Sequence, residues 1–156
     1  MAHDKAHIKS NYPLPAYNYR VMVGNATLGF SEVSGLDLQY EPVIYKHGLS
    51  FFMGTKIIPG MPEPIRVTMK RGIVRNGNVK SLSEWMSDAY KRPFSLKKKR
   101  DVQIELCDEN GQALVTWQVK SALPVRLSGP EFHADGNEIA IETMELVAYN
   151  MDIKYP

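Results

Sequence analysis

A chain of 156 residues, 44% of them hydrophobic and 23% charged, has the makeup of one ordinary soluble domain, long enough to bury a core. A formal net charge of +2 is too small to argue for nucleic acid or an anionic membrane, no apolar run approaches the ~18 residues of a membrane span, and Met1-Ala2-His3-Asp4-Lys5 lacks the apolar stretch of a secretory signal. The single cysteine, Cys107, excludes an intrachain disulfide and a cysteine metal cluster, so folding in a reducing cytosol is expected.

Residues 1–16 are polar and end in Pro13-Leu14-Pro15, which reads as an N-terminal arm before a single domain over residues 17–156. Tyr17, Tyr19, Val21 and Val23 alternate with Asn18, Arg20 and Met22, the pattern of a half-buried strand. Gly24-Asn25 is a turn signal, so Ala26 to Phe30 is expected to return as the hairpin partner. A longer strand is expected over Gly35 to Lys46, where Pro42 implies an edge position or a bulge. Residues 47–64 are punctuated by Gly48, Gly54, Pro59, Gly60, Pro62 and Pro64, and carry Phe51, Phe52, Met53, Ile57 and Ile58 without a clean period. This reads as a long loop, functional or mobile, and too apolar to be left in water without a covering partner.

Ile65 to Lys70 reads as a strand that breaks at Arg71-Gly72. A helix follows at about 81–91, opened by a Ser81/Glu84 capping box and carrying one apolar stripe: Leu82, Trp85, Met86, Ala89, Tyr90. Lys91 and Arg92 suit the negative end of its dipole, and Pro93 stops it. Val102, Ile104 and Leu106, a turn at Asp108-Glu109-Asn110-Gly111, then Val115, Trp117 and Val119 read as a hairpin. The last strand, Asn137 to Tyr149, is apolar at Ile139 and Ile141 and then at Met144, Leu146 and Ala148. That change of phase near Thr143 implies either a bulge or burial on both faces by a neighbouring subunit.

No catalytic constellation emerges. Gly24 to Ser31 has the glycine spacing of a phosphate-binding loop, but Phe30 stands where the lysine belongs and the context is a hairpin. Gly29-Phe30-Ser31-Glu32-Val33 lacks the closing glycine of a nucleophile elbow. His3 and His7 lie in the arm, without the helix or the glutamate of a zinc pair. His133, Asp135 and Glu131 read more economically as a surface loop than as an acid–base site. Trp85 and Trp117 read as core anchors. Residues 91–100 carry Lys91, Arg92, Lys97, Lys98, Lys99 and Arg100 and no acid. They read as a solvated helix exit or as a contact for an acidic neighbouring subunit or, less readily, for phosphate. No cofactor, no metal and no enzymatic activity are expected.

The serial order of these blocks resembles the tail-tube (inner-tube) proteins of contractile phages and phage-like contractile injection systems. The blocks are Ser34-Gly35-Leu36, the strand closing in Lys70-Arg71-Gly72, the helix with Trp85, the hairpin from Asp101 to Trp117, and Ile139 to Leu146. The resemblance implies a mainly β fold, a β-sandwich or split β-barrel with one flanking helix. It implies homohexameric rings whose sheets join into an inner barrel, stacked into a hollow tube. Residues 47–64 match the family's extended loop, so Phe51, Phe52, Met53, Ile57 and Ile58 become ring-stacking contacts, with Pro59-Gly60 matching its Pro-Gly. Family loops are more polar where this chain has Ser50-Phe51-Phe52-Met53. Lys70, Arg71, Gly72, Trp85, Ile139, Ile141, Met144 and Leu146 become scaffold or inter-subunit residues, and Lys97, Lys98, Lys99 and Arg100 a basic contact for a neighbour. The implied partners are further copies, sheath subunits, baseplate and cap proteins, with cargo or DNA in the lumen and no membrane anchor. Assembly is then cytoplasmic, into a released or anchored particle. The alternatives are an initiator ring at the baseplate and a monomeric β-barrel that binds a small molecule.

Overall fold

The structure, a computed structural model, describes residues 10–75, 80–91 and 98–156. Its strands are β1 (Tyr19–Val23), β2 (Ala26–Leu28), β3 (Glu32–Ser34), β4 (Val43–Tyr45), β5 (Lys56–Ile58), β6 (Ile65–Gly72), β7 (Arg100–Cys107), β8 (Ala113–Ser128), β9 (Ile141–Ala148) and β10 (Asn150–Lys154). One helical turn, α1 (Ser50–Met53), lies between β4 and β5, and the longer α2 (Ser81–Tyr90) lies between β6 and β7.

Eight strands form one antiparallel sheet in the order β2-β1-β7-β8-β9-β6-β3, with β10 also beside β8. The 16 residues of β8 make this possible, because the strand serves two layers. Its first half, around Trp117, pairs with β7 and β10, and its second half, from Leu123, pairs with β9. The strand turns at Ser121, which has φ 52. Arg100 faces Ala122 while Val102 faces Val119, so β8 carries one extra residue there, a β-bulge. The left-handed conformation is unfavourable for a residue with a Cβ. Asp101 compensates by accepting the Ser121 N–H at 2.9 Å.

The sheet thereby folds over itself. Val21, Val102, Val119 and Met151 of one layer share a single buried cluster with Val67, Met69, Met144 and Leu146 of the other. The path ends at β2 and β3 and does not close, which makes the body an open sandwich or split barrel. Helix α2 adds Leu82, Trp85 and Ala89 to the buried residues. Trp85 Nε1 donates to Lys98 O at 2.9 Å, just before β7, and the Tyr90 hydroxyl donates to Pro124 O at 2.6 Å, which ties the helix to β8.

Several expectations are corrected. Gly35 to Lys46 is not one strand: it holds an isolated Tyr40–Pro62 bridge and the short β4. Gly35, with φ +88, is the reason the chain turns there, and its α-carbon lies against Arg66 O. Residues 47–64 are not simply loop either, since they supply α1 and β5. The strand before α2 does not break at Arg71-Gly72: β6 pairs with β9 through Gly72, and Arg71 is buried opposite Glu142. No capping box forms. Lys80 is the N-cap and Ser81 the first helical residue, whose hydroxyl lies 3.4 Å from Arg71 Nη1. Pairing of β6 with β9 runs without a shift from Ile65–Ala148 to Gly72–Ile141, so the phase change near Thr143 is not a bulge against β6. Ile139 precedes the strand and lies over Gly72, while Ile141 faces outward.

Candidate assembly surface

The strongest surface feature is the hairpin built on β4 and β5. Its base is laddered by Glu63 N to Gln39 O at 2.7 Å and Glu41 N to Met61 O at 3.0 Å. Gly60 lets the strands approach, and Gly54, with φ +81, lets the chain leave α1. At the tip His47 organises the turn: its N–H donates to Ser50 Oγ at 2.7 Å, and its Nδ1 accepts from Leu49 N–H at 3.1 Å.

Both faces of this arm are bare. β4 and β5 have no buried residue, and eleven exposed large apolar or aromatic side chains lie between Tyr40 and Met61. Such density is far from the scattered apolar exposure of an ordinary surface and marks an interaction site. Phe51, Phe52 and Met53 on α1 are 77%, 78% and 74% exposed. The two rings pack on each other with centroids 4.0 Å apart, so they present themselves as one knob. Ile57 is exposed on β5 with Ile58 beside it, and Pro59-Gly60 leads the chain back to the body.

The other singled-out residues separate into two groups. Trp85, Met144 and Leu146 are fully buried in the body, and Arg71 is nearly so, in an ion pair with Glu142 at 2.8 Å. Ile139 and Ile141 are on the surface, and Lys70 bridges Glu32 at 3.3 Å. The basic cluster is less free than its sequence implies. Lys97 lies outside the described residues, as do Arg92 and the arm histidines His3 and His7. Arg100 is committed to Asp88 at 3.5 Å and to the Trp85 ring at 5.3 Å, and the Lys98 carbonyl holds the indole. Lys99 remains exposed. His133 meets Glu131 at 3.3 Å with both side chains in solvent, an arrangement of a surface loop. Among the described residues no group of three His, Cys, Asp or Glu could hold a metal ion.

Sequence reasoning missed a second feature. At the open end of the sandwich an apolar groove of about 340 Å³ is lined by Leu14, Tyr19, Val33, Leu36, Ile104, Leu106 and Trp117, with Glu32 on its wall. Tyr19, Ile104, Leu106 and Trp117 each read as an apolar position of their own strand. Only the register of β1, β7 and β8, which aligns Tyr19 with Leu106 and Ile104 with Trp117, shows that they converge without a cover.

The outward face of that layer is polar and internally paired. Arg20 bonds Glu105 through Nε at 2.7 Å, and Gln103 donates to the other Glu105 oxygen at 2.7 Å. Lys120 meets Asp152 at 2.6 Å, and the hydrogen bond and charge of Lys120 hold the Asp152 carboxyl below its ordinary range while raising the lysine. In the groove, burial and the Glu32 charge push the Tyr19 hydroxyl upward.

The family model for the T4-like virus tail tube protein gp19 matches residues 15–152. Among solved structures, the chain is similar to one from the sheath–tube complex of PVC, an extracellular contractile injection system, in its extended state. That match has 28% identity, 98% of this chain and 99% of the other covered, and a TM-score of 0.83. A chain from the tube-terminating cap of the anti-feeding prophage is 30% identical over 94% of this chain and 93% of its own, with a TM-score of 0.79. Hcp1 from Flavobacterium johnsoniae shares the fold at 13% identity, covering 90% and 97%, with a TM-score of 0.54. A search of the curated proteins finds no match.

Proposed function

From the premise that the chain belongs to the T4-like virus tail tube protein family, we propose that it is the structural subunit of the inner tube of a contractile injection particle. Six copies form a ring, and rings stack around a hollow lumen through which cargo or DNA passes. The observation that carries this reading is the bare apolar arm, residues 39–63, which a solitary subunit would leave in water. Burial of each large ring on assembly removes roughly 150–250 Å² from solvent. A hairpin with both faces apolar can contact two neighbours at once, which suits a tube in which each copy has neighbours within its ring and in the next.

The work is mechanical and not catalytic in this reading. On the same reading sheath subunits surround the tube, a baseplate starts it and a cap ends it; the similar chains come from a PVC sheath–tube complex and from the tube-terminating cap of the anti-feeding prophage. Assembly takes place in the cytoplasm, without a membrane anchor, into a phage-like particle. Negative-stain electron microscopy of the purified chain, with light scattering for mass, tests it. Six-fold rings or hollow stacks are expected. A chain that stays monomeric at every concentration, with baseplate and cap components present, overturns it.

A further inference from the structure

We infer that the apolar groove at the open end of the sandwich is the receptor for the Phe51–Phe52 tip of a second copy's arm. The inference rests on the reading that copies of this chain assemble, and it names where the arm goes. Size comes first. A cavity of about 150 Å³ holds one benzene, so the 340 Å³ groove takes about two rings. The arm offers two, already packed against each other.

Chemistry agrees. Val33, Leu36, Ile104, Leu106 and Trp117 give the groove apolar walls. The Tyr19 hydroxyl is already spent on Phe30 O at 2.6 Å, so it asks for no polar guest. Charge agrees as well. The outer part of the arm, residues 42–62, carries Lys46 and Lys56 and no acid, the acids Glu41 and Glu63 standing at its base, whereas the groove wall carries Glu32, about half exposed and shared with Lys70. Knob and hole lie on different parts of the chain, so a copy can place its arm in one neighbour while its own groove takes the arm of another, a heterologous contact. It propagates from copy to copy instead of closing a pair.

The test uses full-length chains with Cys107→Ser, which removes the only native thiol. One chain carries Met53→Cys, which leaves both rings in place, and the other Leu36→Cys. They are co-assembled and oxidised. Heterodimer is expected at roughly tenfold the yield of homodimer from either chain alone, because a disulfide forms only when the α-carbons come within about 7 Å. Leu36→Trp, which fills the groove, is the companion variant. It is expected to keep its circular-dichroism spectrum and to lose tube formation.

Tubes that form without heterodimer, that crosslink arm to arm, or that form normally from Leu36→Trp overturn the proposal while leaving the tube reading intact. Failure of the unmodified chain to form tubes overturns the tube reading, and the groove assignment falls with it.

Discussion

A Cβ on Gly60 would lie 1.8 Å from the carbonyl oxygen of Glu41, inside the backbone of the opposite arm strand. The neighbour is main chain and has no rotamer by which to move aside. Gly60→Ala is therefore expected to splay the arm at its base, at about 1–3 kcal/mol of local strain. The body does not depend on that contact. Its thermal midpoint should stay within about 2 °C of the parent, since surface changes away from the core are usually within ±0.5 kcal/mol. Tube yield should fall sharply. Calorimetry beside electron microscopy reads both.

Gly35 makes the opposite case. Its φ of +88 is strained for any other residue, and a Cβ there would meet Arg66 O at 1.9 Å, within the β6 strand of the body. Gly35→Ala should lower global stability by about 2–3 kcal/mol, combining overpacking with backbone strain. Urea denaturation measures it, and an unchanged midpoint would contradict this account of the turn.

Phe51→Ser with Phe52→Ser removes the exposed knob and touches nothing buried. The variant is expected to remain folded, with an unchanged or slightly higher midpoint, and to remain unassembled. Normal tubes from it would sink the role given to the arm.

Arg71 and Glu142 form a mostly buried pair, side chains 9% and 15% exposed, with Arg71 Nε 2.9 Å from the Glu142 carboxylate. Removing Glu142 takes the ion-pair partner from a mostly buried guanidinium, so Glu142→Leu should cost about 3 kcal/mol, the lower end expected for such pairs. Arg71→Met combined with Glu142→Leu should recover most of that loss. A double-mutant cycle in urea gives the coupling directly.

The Lys120–Asp152 pair joins β8 to β10 in the open. Asp152 has its folded pKa depressed, so its contribution is present above the unfolded carboxylate range and is lost as pH falls through the lower folded value. Lys120 is raised, so its contribution is present below the ordinary lysine range and is lost as pH rises through the folded value. Carboxyl NMR should place Asp152 below an ordinary aspartate. Lys120→Met should restore it, and high salt should weaken the shift.

How legible was this fold? Burial writes periodicity into sequence, so elements that face the core were readable: Val21 and Val23 on β1, Leu82 and Trp85 on α2, Ile104 and Val119 across the β7–β8 hairpin. The turn at Gly24-Asn25 was readable because glycine there takes φ +60. Of the arm strands, β4 fell inside the strand expected over Gly35 to Lys46, whereas β5 read as loop, because Lys56-Ile57-Ile58 buries neither face and so shows no alternation. The bulge at Ser121 lacks a glycine to announce it, and its stabiliser, Asp101, lies 20 residues away. The composition of the arm did point to an interaction surface. The groove was out of reach, since it is assembled from β1, β7, β8 and the segment around Leu36, whose alignment depends on strand register.

The course of β8 through both layers has a consequence for load. In a sandwich held only by side chains, one layer can creep over the other by exchanging contacts. Here the layers are joined by the peptide bonds of a single strand, with β9 and β10 running alongside it on both sides of the Ser121 bend. A push entering one layer therefore reaches the other through covalent chain, braced by two ladders. The body should yield as one stiff block, with compliance confined to the arm.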